Sequence, residues 1–282
     1  MIRQSIALSL VVATAASAQL DPPAWTRPIA PVPLVGPVTY VGTQGLAAYL
    51  IRTPAGAIVI DGTLAANVPA IERNIVSLGV PLRSVKLLLN SHAHFDHAEG
   101  LARLKADTGA RLAAGAADRT ALEVGVPPGE TSYGVIRFPA VRVDQAVRDG
   151  EHVGLGGVTL TAIATPGHTP GNTSWLLRTT VSGKPMDVLF LGSLTVAGNR
   201  LIGNARYPAI VAGYRRSFAR LAAVHADVVL PMHPETADVL GRAKAGTLVA
   251  PELLPKLVAE ARAAFDLEFV KQQQALSDST RR

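Results

Sequence analysis

The chain has 282 residues, of which 48% are hydrophobic and 17% charged, with a formal net charge of +6 and no cysteine. That balance excludes a disordered polymer and a solvated helical array, and the length suffices for one layered domain with a substantial core. Disulfides and thiolate metal ligands are excluded outright, and the arginines are scattered instead of forming the basic stripe that would track a nucleic acid.

Met1-Ile2-Arg3 is a short basic start, Ile6 through Ala15 an apolar core too short to span a bilayer, and Ala16-Ser17-Ala18 a small-residue cleavage signal. The expectation is a signal peptide over 1–18 and a single mature domain over 19–282. Loss of Arg3 takes the charge to +5, and the mature protein is placed in the periplasm or outside the cell. Strands are predicted at 38–42, 47–52 and 57–61, then a helix from Ala65 to Leu78 with Ile71, Ile75 and Leu78 on one face. Strand 85–89 is followed by a histidine-rich loop, a helix through Leu101 and Leu104, strand 111–113 and a helix over 115–124. Residues 126–140, rich in Pro and Gly, form a long loop expected beside a site mouth. Gly156-Gly157 marks a hairpin, without the spacing or following helix of a dinucleotide loop.

The second half repeats the order, with strands at 151–155, 158–164, 172–178, 187–191 and 227–231 and helices at 209–223 and 235–244. Leu254, Leu257, Val258, Ala261 and Phe265 recur at helical spacing and predict a closing amphipathic helix, frayed from Gln272 onward. The pattern suggests two sheet halves face to face with helices outside, their strand ends pooled at one edge.

The chemistry is concentrated in His92-Ala93-His94-Phe95-Asp96-His97, four metal-competent side chains in six residues directly after an apolar strand. In extended chain, alternate positions share a face, so His92, His94 and Asp96 are expected to point together, with His97 joining as the chain turns. Imidazole and carboxylate are ligands that suit zinc. His168 follows strand 158–164 in the turn-rich Thr165-Pro166-Gly167-His168-Thr169-Pro170-Gly171, and His233 follows strand 227–231. Strand 187–191 instead ends at Gly192-Ser193-Leu194-Thr195, with hydroxyls where the others have imidazoles. Counting donors gives His92, His94 and His168 for one ion and Asp96, His97 and His233 for a second, each with open positions. Such a pair of ions is hydrolytic equipment. His152 and His225, in a polar turn and at a helix end, read as structural or solvated. No G-x-S-x-G or S-x-x-K motif offers a serine nucleophile.

Over residues 35–250 the chain resembles the metallo-β-lactamase superfamily, and specifically class B β-lactamases of the third subclass. The likeness lies in the Asn90–Ala98 motif, the Tyr133–Pro139 loop, Pro166-Gly167-His168-Thr169-Pro170-Gly171 and Gly203-Asn204-Ala205-Arg206-Tyr207-Pro208. The full histidine set together with Ser193, where many superfamily hydrolases carry a metal-bridging aspartate, narrows it to the subclass. The resemblance implies the superfamily's four-layer αββα sandwich with two Zn²⁺ ions at the sheet edge, held by the two ligand sets above. It implies opening of penicillin, cephalosporin and carbapenem rings by zinc-bound hydroxide, with Asp96 catalytically required and no acyl-enzyme. Ser193 and Thr195 would hold the substrate carboxylate, and Asp61 would stand behind the ligands and orient the metal loop. The subclass often has a carboxyl-terminal disulfide, which this chain cannot make, and Glu99 occupies a position that is usually small. The partner expected is a small-molecule β-lactam, met by a monomer that touches neither nucleic acid nor, once cleaved, a membrane, in a role in antibiotic resistance.

Other readings stay open. A hydrolase of the same fold could act on lactones or thioesters, against which Ser193 stands. A nuclease, an iron-containing oxidoreductase and a metal-binding protein without catalysis complete the alternatives. Trp25 either leans over the site or serves as an anchor.

Overall fold

The structure, a computed structural model, describes residues 22–280. The expected signal peptide, 1–18, lies outside them. Two sheets form the centre. The first has seven strands in the order β1 (Val32–Val35), β2 (Val38–Tyr40), β3 (Tyr49–Thr53), β4 (Gly56–Ile60), β5 (Val85–Leu89), β6 (Arg111–Gly115) and β7 (Gln145–Val147). The second runs β12 (Val228–Pro231), β11 (Lys184–Leu191), β10 (Thr173–Val181), β9 (Val158–Ala164) and β8 (His152–Leu155).

Strands β3 to β5 are apolar on both faces because both faces are covered. Tyr49, Ile51, Ile58, Ile60, Leu87 and Leu89 pack toward the second sheet, where Leu160, Ala162, Trp175, Leu177, Phe190 and Leu230 meet them. Leu50, Val59 and Leu88 face the other way and pack with helix residues Ile71 and Ile75 of α1 (Val68–Ser77) and Leu101 and Leu104 of α3 (Leu101–Thr108). The outer face of the second sheet is covered by α5 (Ile210–Ala222) and the long α7 (Leu253–Thr280), whose Tyr214, Phe218 and Phe265 rings pack against one another. This is the expected four-layer αββα sandwich. Short helices α2 (Phe95–Ala98), α4 (Arg119–Val124) and α6 (Val239–Ala245) complete the connections.

The parallel pairings β4·β5, β5·β6 and β11·β12 position the site. Parallel neighbours end at the same edge, so the segments leaving β4, β5, β6 and β12 converge there. Differences from the sequence reading have physical causes. Edge strands β1 and β7 were not anticipated: β1 contains Pro33, which an edge tolerates, and β7 has three residues. The hairpin strands β10 and β11 run on to Val181 and back from Lys184, through the turn at Ser182 and Gly183, both at positive φ. The helix expected over 235–244 breaks at Asp238 (φ 44°) into a tight turn, Pro234–Ala237, and α6. The expected fraying from Gln272 is corrected. Helix α7 continues to Thr280, and Gln272 accepts a bond from the Leu201 amide at 2.7 Å and donates to the Asn199 carbonyl at 3.0 Å.

Candidate metal centre

The six donors predicted from sequence meet at the sheet edge, and five of them are buried. Chain leaving β5 bends at Ser91 and Ala93, is extended at His94 (φ −104°, ψ 155°) and then turns into α2. Asp96 and His97 are therefore helical neighbours, which corrects the expectation that Asp96 continues an extended run. That turn separates the donors. Ligand atoms of His92, His94 and His168 lie within 4.8 Å of one another, as do those of His92, Asp96 and His97. His94 Nδ1 is 2.9 Å from His168 Nε2. His233, from the end of β12, brings its Nε2 to 3.2 Å from both Asp96 Oδ2 and His97 Nε2.

The far side of each ring decides which nitrogen is free. Asp61 directly follows β4 and accepts from Asn90 Nδ2, Ser91 N, the Ser91 hydroxyl and His97 Nδ1 at 2.6–3.1 Å. A carboxylate only accepts, so the Ser91 proton is committed to Asp61 and Ser91 Oγ must accept from His92 Nδ1 at 3.0 Å. The lone pair of a neutral His92 then lies on Nε2, which is buried and has no hydrogen-bonding partner. His168 Nδ1 donates to the Thr195 carbonyl at 2.7 Å, leaving its Nε2 as an acceptor. Rings held from behind, with their opposite nitrogens turned toward one another, are the arrangement of metal-ligating histidines. By this test the residues fit a divalent cation.

Electrostatics divide the donors the same way. Burial holds His92 and His168 well below the usual imidazole range, and it drives His94 down to about 4 with Asp96 opposing. All three are neutral at pH 7, ready to ligate. His97 is the opposite case. Burial disfavours its charge, but the Asp96 and Asp61 carboxylates outweigh burial and hold it up at about 10. Asp96 in turn is kept well below the carboxylate range, since His97 and His233 overcome the effect of burial.

The centre opens into a pocket of about 540 Å³. Trp25, Phe95, Tyr133, Ile136, Met232 and Leu257 give it an apolar wall, and Ser193 and Thr195 line it beside the imidazoles. The two hydroxyl oxygens are 3.1 Å apart. Loop 126–140 does stand at the mouth, through Tyr133 and Ile136. Trp25 is both wall and anchor: its ring lies 5.5 Å from His233 and 6.2 Å from Phe95, while its carbonyl accepts from Thr43 and Asn67. Glu99 does not join the centre, because its carboxylate caps the Ala65 amide at 2.8 Å. His152 and His225 lie away from it, bonded to Thr161 and Asp227.

Sequence reasoning missed several supports. Tyr214 of α5 donates to the Thr195 carbonyl at 2.7 Å, beside His168, and Asn199 donates to the His168 carbonyl. Asp118, between β6 and α4, is fully buried and accepts from Ala93 N, Thr169 Oγ1 and Gly171 N; burial pushes it up to about 6, and it is ionised at neutral pH. No local motif marks these residues, whose partners are up to 53 positions away.

Known proteins agree with this architecture. The family model described as the metallo-beta-lactamase superfamily matches residues 42–233. Among solved structures, BJP-1, a subclass B3 metallo-beta-lactamase of Bradyrhizobium japonicum, superposes with a TM-score of 0.86 and 40% identity, covering 90% of this chain and 98% of that one. FEZ-1, a metallo-beta-lactamase from Legionella gormanii, gives a TM-score of 0.81 and 34% identity over 88% and 98% of the two chains. A curated relative, the hydroxyacylglutathione hydrolase of Acidiphilium cryptum, is 37% identical over 89 residues, which is 32% of this chain but only 29% of that protein. The family match spans Asp61 and all six donors from His92 to His233, and the solved likeness extends over both sheets. This chain belongs to the metallo-beta-lactamase superfamily, with subclass B3 enzymes as its structural neighbours.

Proposed function

We propose that the protein is a zinc β-lactamase that opens the amide of penicillins, cephalosporins and carbapenems. The observation that carries this reading is position 193. At the end of β11 the pocket receives a serine hydroxyl where a thioester hydrolase of this fold would be expected to bridge its metals with aspartate. The two donor sets, His92–His94–His168 and Asp96–His97–His233, therefore share no carboxylate. Likeness to subclass B3 enzymes over nine-tenths of the chain supports the same conclusion, whereas the matched hydroxyacylglutathione hydrolase is covered over less than a third of its length.

Two zinc ions on these donors would supply Lewis acidity and a water whose pKa is lowered toward about 7. The chain does the rest. Ser193 Oγ and Thr195 Oγ1 donate to the substrate carboxylate and fix the ring's approach. Trp25, Phe95 and Ile136 exclude water and hold the substituents. The Asp96 carboxylate, between His97 and His233, orients the second donor set and keeps an acceptor oxygen at the reacting centre. Asp61 and Ser91 hold the His97 and His92 rings in the ligating tautomer.

The same reading makes residues 1–18 a cleaved signal peptide, the enzyme periplasmic or secreted, and its role antibiotic resistance. Amino-terminal sequencing of the exported protein should begin near Gln19. The activity is tested by measuring zinc per mole of purified protein and assaying a carbapenem, a penicillin, a homoserine lactone and a glutathione thioester in parallel. Turnover of both β-lactams is expected. Turnover of the lactone or the thioester alone would transfer the chain to the other hydrolase class.

A further inference from the structure

The histidines of the first donor set come from two loops with no covalent reason to stay in register. His92 and His94 follow β5, and His168 follows β9. One buried carboxylate joins them. Asp118 Oδ2 accepts from Ala93 N at 2.9 Å, the amide between the two histidines, and from Thr169 Oγ1 at 2.6 Å, the side chain next to His168. Its Oδ1 accepts from Gly171 N at 2.7 Å. The fit around it is tight: a Cβ on Gly171 would come within 2.3 Å of the Asp118 amide nitrogen, and one on Gly115 within 2.0 Å of the Gly171 carbonyl oxygen. Three backbone segments are thus drawn together around a group that is 0% exposed and outside every donor set.

We propose that Asp118 is a positioning residue for metal binding, holding the His92–His94 loop and the His168 loop at ligand spacing. The proposal rests on the assignment of these three imidazoles as zinc ligands. A carboxylate suits the task because it accepts all three bonds at once, whereas an amide in its place must turn a donor toward another donor. Hydrogen-bonding partners behind a metal ligand typically govern affinity by about 10- to 100-fold. Removing Asp118 therefore loosens the first site without removing a ligand.

The test compares the wild-type chain with Asp118→Asn, Thr169→Val and, as a control, Asp144→Asn. Asp144 is also a carboxylate that accepts a backbone amide, from Leu112, but it lies outside the donor network. Zinc affinity is measured by competition with a chromophoric chelator at pH 7, and the cobalt-substituted proteins are compared by their visible d–d bands. Asp118→Asn should weaken the tighter zinc site by about 10- to 100-fold and shift the cobalt bands. Thr169→Val, which deletes one of the three bonds, should weaken it by about 5-fold, and it decides the question if Asp118→Asn does not fold. Asp144→Asn should lower thermal stability with affinity and spectrum unchanged. Wild-type affinity and cobalt spectrum in Thr169→Val or a folded Asp118→Asn would overturn the proposal, whatever happens to their melting temperatures. A wild-type chain that takes up no zinc would overturn the metal reading itself, and the inference with it.

Discussion

Asp61 stands at the end of β4 with φ 62°, a left-handed conformation that Asp and Asn tolerate better than most residues, and from there reaches Ser91 and His97 together. Asp61→Asn keeps the backbone preference but loses an acceptor-only group. It should weaken zinc binding by about 10- to 100-fold, measured by chelator competition, with little change in circular dichroism. Asp96→Ala should lower kcat/KM by more than about 100-fold, beyond what loss of an orienting partner alone costs, and reduce zinc content, while the circular dichroism spectrum is retained. Activity surviving in a folded Asp96→Ala protein would remove this residue from the reaction. Ser193→Ala should raise KM about 10-fold or more, the equivalent of one hydrogen bond to a charged group, and leave kcat nearly unchanged, because the hydroxyl binds substrate and transition state alike.

Among the elements, Asp144 shows how an ion pair fixes a helix to a strand. Its carboxylate accepts from Lys105 of α3, from Arg142 and from the Leu112 amide of β6. Burial raises its pKa, but Lys105 and these other partners outweigh burial and hold it below the ordinary carboxylate value. A depressed pKa contributes stability that is present above the unfolded value of about 3.9 and is lost as the pH falls through the folded value. Thermal melts should show wild type and Asp144→Asn converging below about pH 4, with wild type more stable by about 1–3 kcal/mol at neutral pH. A gap that persists at low pH would show packing, not charge, to be its source.

The elements that sequence revealed were those with strong local signals. Val85-Lys86-Leu87-Leu88-Leu89 and Val158–Ala164 are β-branched or apolar runs ended by turn residues, and the imidazoles followed directly. What it concealed has no local signal. Asp118 and Tyr214 are ordinary residues near helix starts, and they join the centre only because tertiary packing brings α4 and α5 against the loops that follow β5 and β9. The extended run expected to reach Asp96 stops at His94; the helix Phe95–Ala98 is too short to show a helical period. Gln272 stays helical through contacts with Asn199 and Leu201, some 70 positions away.

For the whole molecule, the centre is a cross-brace among chain segments from Asp61 to His233. A ligand that binds only the folded state stabilises it by mass action, about 4 kcal/mol at a free concentration 1,000 times Kd. For a domain of this size that corresponds to roughly 8–16 °C in Tm. Scanning calorimetry with and without a chelator should show a drop of that order, and an unchanged Tm would contradict metal binding by the native fold.

Thr195 joins two tasks in one residue. Its hydroxyl lies in the pocket wall, while its carbonyl receives both the His168 ring and Tyr214. A molecule that tugs on the hydroxyl therefore also pulls on the bracket that aims an imidazole. Ligands of different bulk should then leave distinct imprints on the geometry around His168, so that discrimination among guests and tuning of the ion's surroundings become a single mechanical variable.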